Sequence, residues 1–186
     1  MPLKEEKDKE LKNSNFPGSN ILKNNEEKQL VLNWIKPNAK IKLTLLYQVS
    51  RDGDRTSTFH SKVSNKFPTV VLLKTKAGFK CGGYTSISWE NISNYKKDEL
   101  AFLFSLDKKK KYRLKNENLS YAIYASSNHF AFGRGYDLVI YDQCKTNKKN
   151  YCNFPCDYSD GEKSELTGGQ YHFLVSECEV YHVEFL

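Results

Sequence analysis

Apolar residues change their spacing along the chain, and the first regular pattern is helical. Apolar side chains between positions 30 and 35 recur at the spacing of one helix face. Asn24 can cap the start of this helix with Glu27 as its capping-box partner, and Pro37 stops it. The pattern therefore predicts one amphipathic helix before residue 37.

From residue 41 onward the period shortens to two, which is typical of strands with one buried face. A turn is expected at 51–54, and a short helix at 59–62 with Thr56 or Ser57 as its cap. The predicted strands cover residues 41–48, 69–75, 79–87, 100–106, 121–125, 137–141 and 171–185, of which 69–75 and 79–87 form a hairpin. This strand density predicts a mainly β fold (α+β) in which two antiparallel sheets form a β-sandwich with short peripheral helices.

Residues 1–20 are nearly free of apolar side chains and carry many charges. Such a segment cannot bury enough surface to offset the entropy of ordering it. We therefore expect a disordered charged tail at 1–20 and one domain at 21–186, because a chain of 186 residues fits a single domain.

Composition narrows the class of protein. Only 39% of residues are hydrophobic, but 12 tyrosines and 11 phenylalanines can each bury a large area. No segment approaches the ~18 apolar residues of a membrane helix, and the start has no secretory signal pattern. The odd count of 5 cysteines is unlike a secreted disulfide framework. We expect a soluble cytoplasmic protein without membrane insertion.

A formal net charge of +7 makes an anionic partner conceivable. The candidate basic patch comprises Lys108, Lys109, Lys110, Lys111 and Arg113. A neighbouring tyrosine could stack on a nucleic-acid base, but no nucleic-acid-binding motif surrounds the run. We interpret it as a solvated hairpin tip between two strands and do not expect nucleic acid as the partner.

Candidate catalytic groups are sparse. No histidine lies in a recognised nucleophile motif, and His60 with Asp52 and Ser61 is the least unfavourable set. Cys144, Cys152 and Cys156 cluster, with His129 and Asp157 as possible additional ligands, but their spacing is not that of a zinc site. We expect no catalytic residues, no metal and no cofactor.

Paired glycines raise the question of a phosphate-binding loop. Gly82 and Gly83 lie inside a strand pattern, and the segment from Gly133 to Gly135 lacks the third glycine of a dinucleotide-binding loop. We interpret both as bulges or close backbone contacts.

Several short aromatic and glycine blocks occur in a fixed order along the chain. They cover residues 45–53, 59–60, 68–69, 82–89, 101–106, 132–142, 151–154 and 175–181. Their order and spacing resemble the TLDc (TLD) domain of the oxidation-resistance protein family over about residues 19–186. The candidate interaction and family-motif residues are Arg51, Asp52, Gly53, Phe59, His60, Gly82, Gly83, Tyr84, Trp89, Gly133, Gly135 and Asp137.

The resemblance implies a two-sheet β-sandwich and a role in protection from oxidative stress. It also implies binding to the vacuolar proton-pumping ATPase, and it supplies no defined active site. We therefore predict a non-catalytic interaction module that contacts a protein partner through loops 51–55 and 134–136, and the resemblance implies subunits of that pump as the partner. Two alternatives stay open: a thiol-dependent redox or hydrolytic enzyme using Cys81 or a loop cysteine, and a nucleic-acid binder using residues 108–115.

Overall fold

Residues 15–186 are described by the computed structural model, in which two antiparallel sheets pack face to face. The helices are α1 (Asn25–Ile35), α2 (Val49–Asp52) and α3 (Thr56–Val63), with 3-10 helices at Asn116–Tyr121 and Glu165–Thr167. The strands are β1 (Ile41–Gln48), β2 (Thr69–Thr75), β3 (Lys80–Thr85), β4 (Asn94–Lys96), β5 (Phe102–Ser105), β6 (Lys110–Arg113), β7 (Ile123–Ala125), β8 (His129–Phe132), β9 (Leu138–Tyr141) and β10 (Val175–Phe185).

The larger sheet has six strands in the order β1-β10-β2-β3-β5-β6, and the smaller has four in the order β4-β7-β8-β9. All neighbouring strands run antiparallel. The long strand β10 therefore lies between β1 and β2. The predicted fold class, a mainly β sandwich with short helices, is confirmed.

The main core lies between the two sheets and is rich in aromatic rings. Phe59 from α3 stacks on Phe130 of the small sheet with ring centroids 4.0 Å apart, and Trp89 packs edge-on against both. The indole N–H of Trp89 donates to the Thr69 hydroxyl at 3.0 Å. The polar group of the largest core side chain is thus satisfied in a fully buried position.

A second apolar cluster lies on the opposite face of the larger sheet. Helix α1 contributes the fully buried Val31, and the segment before it contributes Phe16, Ile21 and Leu22. Because apolar side chains cover both faces of this sheet, residues 69–73 of β2 are all fully buried. Burial on both faces explains why β2 reads as a continuous apolar run and not as an alternating one.

The first helix forms as its sequence predicts. The Asn24 side-chain oxygen accepts the backbone N–H of Glu27 at 2.8 Å, which satisfies one of the free N–H groups of the first turn. Glu27 also forms an ion pair with Lys80 of β3. The helix ends at Ile35, before Pro37.

The assignment of residues 16–20 to a disordered tail is corrected by the structure. Phe16 is only 2% exposed. The fully buried carboxylate of Glu179 accepts the Ser19 hydroxyl at 2.7 Å and the Asn20 backbone N–H at 2.5 Å. The partner of this segment lies 160 residues away, so local composition could not reveal it. The rest of the predicted tail, residues 1–14, lies outside the described residues.

Local details also differ from the sequence-based expectations. The first two residues of the turn expected at 51–54 belong to helix α2. The next helix starts at Thr56, whose backbone N–H donates to the Asp142 carboxylate at 2.8 Å. Neither Thr56 nor Ser57 is the N-cap. Strands β4, β6 and β8 were not predicted, and β6 coincides with the basic run that was interpreted as a hairpin tip.

We predict that Phe16→Ala lowers the free energy of unfolding by about 3–5 kcal/mol, the usual cost of removing a buried aromatic side chain. Phe16 packs edge-on against Tyr181 with centroids 5.1 Å apart, so its loss leaves a cavity beside β10. Urea denaturation followed by circular dichroism measures the change. Phe185→Ala, at a position 47% exposed, is the matched control and should cost about 1 kcal/mol or less. Equal costs for the two variants would contradict the packing described for residue 16.

Candidate functional site

The Arg51, Asp52 and Gly53 motif supports a bulge in strand β1. The register of β1 shifts between Leu45 and Tyr47, and the Arg51 guanidinium donates to the carbonyl of the bulged residue Leu46 at 2.9 Å. The same guanidinium contacts Asp52 at 2.7 Å and holds the pKa of that carboxyl below its usual range. The motif thus braces the strand end.

His60 lies in α3, but the catalytic set considered for it is not assembled. Its ring nitrogens contact the Ser64 hydroxyl and the Ser126 carbonyl, both at 2.9 Å. The Ser61 hydroxyl donates to a carbonyl of its own helix, and Asp52 pairs with an arginine and a lysine. The imidazole therefore ties α3 to the small sheet.

Gly82, Gly83, Tyr84 and Trp89 all lie inside the protein. Gly83 and Trp89 face the core between the two sheets, and Gly82 and Tyr84 face the second cluster, on the side of the larger sheet that α1 covers. A Cβ at Gly82 would collide with the Val71 carbonyl of the neighbouring strand, and one at Gly83 would collide with a phenylalanine ring of the small sheet. Tyr84 is 4% exposed and Trp89 is fully buried. The interpretation of this glycine pair as close packing is confirmed, and the block faces core.

The turn between β8 and β9 contains Gly133 and Gly135. Gly133 has a φ of +82°, a left-handed conformation that favours glycine. A Cβ at Gly135 would collide with the Cys156 side chain. These glycines let the turn approach the segment 155–158 closely.

Asp137 is a fully buried carboxylate at the start of β9. Its partners are backbone N–H groups and not a cation. Burial raises the pKa of this carboxyl from 3.8 to about 6, and the hydrogen bonds that it accepts oppose the shift. Its carboxylate accepts the backbone N–H groups of Cys156, Asp157 and Tyr158, at 2.6, 3.0 and 3.3 Å. Asp137 therefore fixes the path of segment 155–158 beside β9.

The environments of the cysteines oppose formation of a thiolate. Cys81, Cys144, Cys152 and Cys178 are buried, and burial raises the pKa of each thiol, to about 12 for Cys144 and about 11 for Cys152. Cys156 is partly exposed, and its thiol pKa is also raised by burial and by nearby carboxylates. A reactive thiol needs a lowered pKa, so these environments disfavour the thiol-enzyme hypothesis. Within residues 15–186, no cluster of three or more His, Cys, Asp or Glu side chains could hold a metal ion.

The basic run is only partly a hairpin tip. Its second half forms β6, and three lysine side chains of the run contact other parts of the protein. Lys109 pairs with Glu26 at 2.5 Å, Lys110 donates to a carbonyl at 2.6 Å, and Lys111 donates to the Trp34 carbonyl at 2.6 Å. The run is therefore not one continuous free cationic surface.

Aromatic side chains cover the outer face of the small sheet. Tyr124 lies between the core residues Ile123 and Ala125, so it points away from the sandwich interior. The paired positions on neighbouring strands follow the same alternation. We call this surface the tyrosine face and define it by Tyr95, Tyr121, Tyr124, His129, Tyr136, Tyr141, Tyr151, Tyr171 and His172.

The rings of the tyrosine face touch one another in an unbroken series. Tyr124 contacts Tyr95 at a centroid distance of 5.0 Å and His129 at 5.1 Å, and His129 stacks on Tyr141 at 4.7 Å. Tyr136 continues the series to the next segment, where Tyr151 stacks on Tyr171 and contacts His172. The rings lie at the distances of favourable aromatic pairs and hold each other in place.

Tyr136 occupies a strained position that aims its ring over the sheet. Its φ is +56°, which is uncommon for a residue with a bulky side chain. Its hydroxyl contacts the ring of His129 at 3.2 Å, and burial lowers the pKa of that imidazole. The strain indicates that the surrounding contacts favour this ring position strongly enough to offset its cost.

The tyrosine face is accessible and bordered by positive charge. Tyr171 is 41% exposed, and the strand tyrosines are half-buried. The exposed Arg134 guanidinium lies 4.4 Å from the ring centroid of Tyr121. Beneath the rings lie the small side chains of Ala131 and Val139, both fully buried. Of the predicted contact loops, 134–136 adjoins this face.

Sequence reasoning did not find the tyrosine face. Its rings come from strands β4, β7, β8 and β9, from the 3-10 helix Asn116–Tyr121, from the turn before β9 and from segments near 151 and 171. Only the fold brings them together. The available signals were the abundance of tyrosine and the alternation around Tyr124.

Comparison with known proteins places the chain in a family. The model of the TLDc domain matches residues 16–184, which is nearly the whole chain. The chain belongs to the TLDc family. The resemblance carried by the ordered aromatic and glycine blocks is thereby confirmed, and the match begins at Phe16, which is buried.

Curated relatives match a shorter part of this TLDc chain. It is 38% identical over 65 residues to MTOR-associated protein MEAK7 of Gallus gallus. This matched stretch covers 35% of the chain and 14% of that protein. It is 28% identical over 72 residues to the protein of the same name from Mus musculus. This second stretch covers 39% of the chain and 16% of that protein. The matched stretches thus span less than a fifth of these relatives. Within residues 15–186, no helix combines the length and apolar character needed to cross a bilayer.

We predict that Asp137→Asn changes the pH dependence of stability. Burial raises the folded-state pKa to about 6, so the wild type loses stability as pH rises from about 4 to about 6, where the folded state must give up its proton. The variant should lack this decrease. It should also be less stable at pH 7 by roughly 1–3 kcal/mol, because the side-chain NH₂ of asparagine replaces one of the two carboxylate oxygens that accept backbone N–H groups. Urea titrations at several pH values measure both effects. Parallel pH profiles for the two proteins would exclude Asp137 as the source.

We predict that only Cys156, of the 5 cysteines, reacts with a thiol reagent in the native state. Its reaction should be slow at pH 7 because its thiol pKa is raised. Absorbance of the released chromophore from a disulfide reagent counts the thiols before and after denaturation. Cys156→Ser should remove the native signal, and rapid labelling of Cys81 would revive the thiol-enzyme hypothesis.

Proposed function

We propose that this TLDc chain is a non-catalytic interaction module that binds a protein partner through the tyrosine face. One observation carries the proposal: a connected set of half-exposed aromatic rings lies on the outer side of the small sheet, and no other element among residues 15–186 covers it. The outer side of the larger sheet, in contrast, is covered by α1 and the segment before it.

The chemistry of this face fits protein recognition. Tyrosine and arginine are enriched among the residues that contribute most to binding at protein interfaces. A tyrosine presents a large apolar ring together with a hydroxyl, and it loses little conformational entropy on binding. Ring contacts within the face reduce that entropy further, because the side chains are already held in position before a partner arrives.

Arg134 adds a preference in charge. Its guanidinium is exposed and rests on the Tyr121 ring, where it can pair with a carboxylate of the partner. The His129 imidazole is held neutral near pH 7 because burial lowers its pKa. The centre of the face is therefore uncharged and its rim is positive, a pattern that suits an apolar or aromatic patch bordered by acidic residues.

For the partner, the family resemblance supports subunits of the vacuolar proton-pumping ATPase. Binding at the cytoplasmic side of that pump is the role we propose, and a contribution to resistance against oxidative stress would follow from control of the pump. In this proposal the buried family-motif residues position the face without touching the partner. Loop 51–55 is a second contact, because Arg55 is exposed beside the Asp142 carboxylate.

We predict that the double variant Tyr124→Ala with Tyr141→Ala weakens partner binding at least about tenfold, as expected for loss of central interface rings. Pull-down with purified peripheral subunits of the pump, with and without ATP, followed by an ATP-hydrolysis assay, measures association and its consequence. Tyr124→Phe with Tyr141→Phe keeps the rings and should retain most of the affinity. Circular dichroism confirms that each variant is folded.

The same experiment separates two ways in which the proposal can fail. If the wild type associates in neither nucleotide state, the pump is not the partner. If it associates and the alanine variant binds equally well, the tyrosine face is not the contact surface. Leu186→Ser, at a position 78% exposed and outside the face, should leave binding unchanged.

A further inference from the structure

A groove on the other side of the molecule combines apolar walls with unpaired cations. It encloses about 580 Å³ between the end of α1 and the edge strand β6. Phe102 is part of its lining, and Leu100 and Phe185 are 65% and 47% exposed at its margins. We call this site the basic groove and define it by Lys36, Leu100, Phe102, Lys111, Arg113 and Phe185.

The cations of the basic groove lack acidic partners within the described part of the chain. Lys36, Lys111 and Arg113 form no ion pair with any carboxylate there. Glu99 is the only acidic residue of the lining, and it pairs with Lys97 at 2.8 Å. The groove therefore carries an excess of positive charge beside apolar surface.

The structure fixes one of these cations in place. The Lys111 ammonium lies 4.0 Å from the ring centroid of Phe102 and donates to the Trp34 carbonyl at 2.6 Å. Burial and the nearby Arg113 lower the pKa of this lysine. A carboxylate arriving from outside would offset the repulsion between these two cations, so the site favours an anionic occupant.

Lys36 is arranged in a similar way at the opposite margin. It follows the last residue of α1, and its ammonium lies 5.4 Å from the ring centroid of Phe185. Its aliphatic stem can cover apolar surface while its charge stays in water. The lining of the groove thus combines positive charge from α1 and from β6 with the exposed apolar side chains of Leu100 and Phe185.

We infer that the basic groove binds an acidic amphipathic segment of a partner protein, with apolar side chains against Leu100 and Phe185 and carboxylates at Lys36, Lys111 and Arg113. An amphipathic segment in an apolar groove is a recurrent mode of peptide recognition. The positive charge of the groove selects an acidic segment, because a basic segment would be repelled by Lys36, Lys111 and Arg113. This surface is separate from the tyrosine face, and the inference does not rest on the proposed function.

A short fluorescein-labelled peptide that alternates leucine pairs with glutamate pairs is a suitable probe. Fluorescence anisotropy with the full chain should show saturable binding that weakens as salt is raised. A peptide with lysine in place of glutamate, and one with serine in place of leucine, should each bind at least about tenfold more weakly. Equal binding of all three peptides would overturn the inference.

Charge reversal in the protein provides the decisive comparison. Lys36→Glu with Arg113→Glu should weaken binding of the acidic peptide at least about tenfold and improve binding of the lysine peptide. Lys66→Glu with Lys108→Glu changes the net charge equally at exposed positions outside the groove, and it should have a small effect. If both double variants weaken binding to the same extent, only the overall charge matters and the groove is not the site.

Further variants test the apolar half of the site and its independence. Leu100→Ser should weaken peptide binding roughly tenfold if a leucine of the probe packs there. Tyr124→Ala with Tyr141→Ala should leave peptide binding unchanged, so failure of this inference and failure of the proposed function are distinguishable. If vesicles of phosphatidylserine compete for the groove and the acidic peptide shows no saturable binding, the occupant is a lipid surface and the inference is wrong.

Discussion

The structure depends on the burial of both faces of the larger sheet. A sheet whose central strand buries every residue from 69 to 73 must be covered twice, since either uncovered face would leave apolar side chains in water. The small sheet covers one face, and helix α1 with residues 16–22 covers the other. This demand explains why the N-terminal segment is part of the domain.

Covering the larger sheet on both sides also determines where the accessible surfaces lie. The small sheet has a single covered face, so its outer side is free to carry the tyrosine face. Helix α1 covers only part of the outer face of the larger sheet, and the basic groove lies beyond the end of this helix. The family-motif residues, by contrast, close the core, brace a bulge or fix a turn. Most of the candidate motif residues thus maintain the scaffold, whereas the rings of the proposed tyrosine face come partly from the same blocks, as with Tyr136 and Tyr141, and partly from residues outside them, as with Tyr95 and Tyr124.

Local signals in the sequence were sufficient for some elements. Helix α1 was predicted with its cap because Asn24 and Glu27 lie within one turn, and the β2–β3 hairpin was predicted because both strands flank a short turn. Strands β4 and β8 lie outside the predicted strands. The ordered conformation of residues 16–20 depends on contacts with Glu179, and the tyrosine face depends on which strands lie side by side in the small sheet. Neither feature can be predicted without knowing how distant segments pair.

Strand β10 comes last in chain order yet lies between β1 and β2. During synthesis on the ribosome, β1 and β2 therefore cannot be joined into one sheet until β10 has been made, and residues 19 and 20 have no carboxylate to bind before then. Long-range pairing of this kind slows folding and leaves apolar strands exposed in the meantime. A nascent chain of this topology can form its local hairpins early, but the strand edges of β1 and β2 that pair with β10 stay unpaired until β10 emerges.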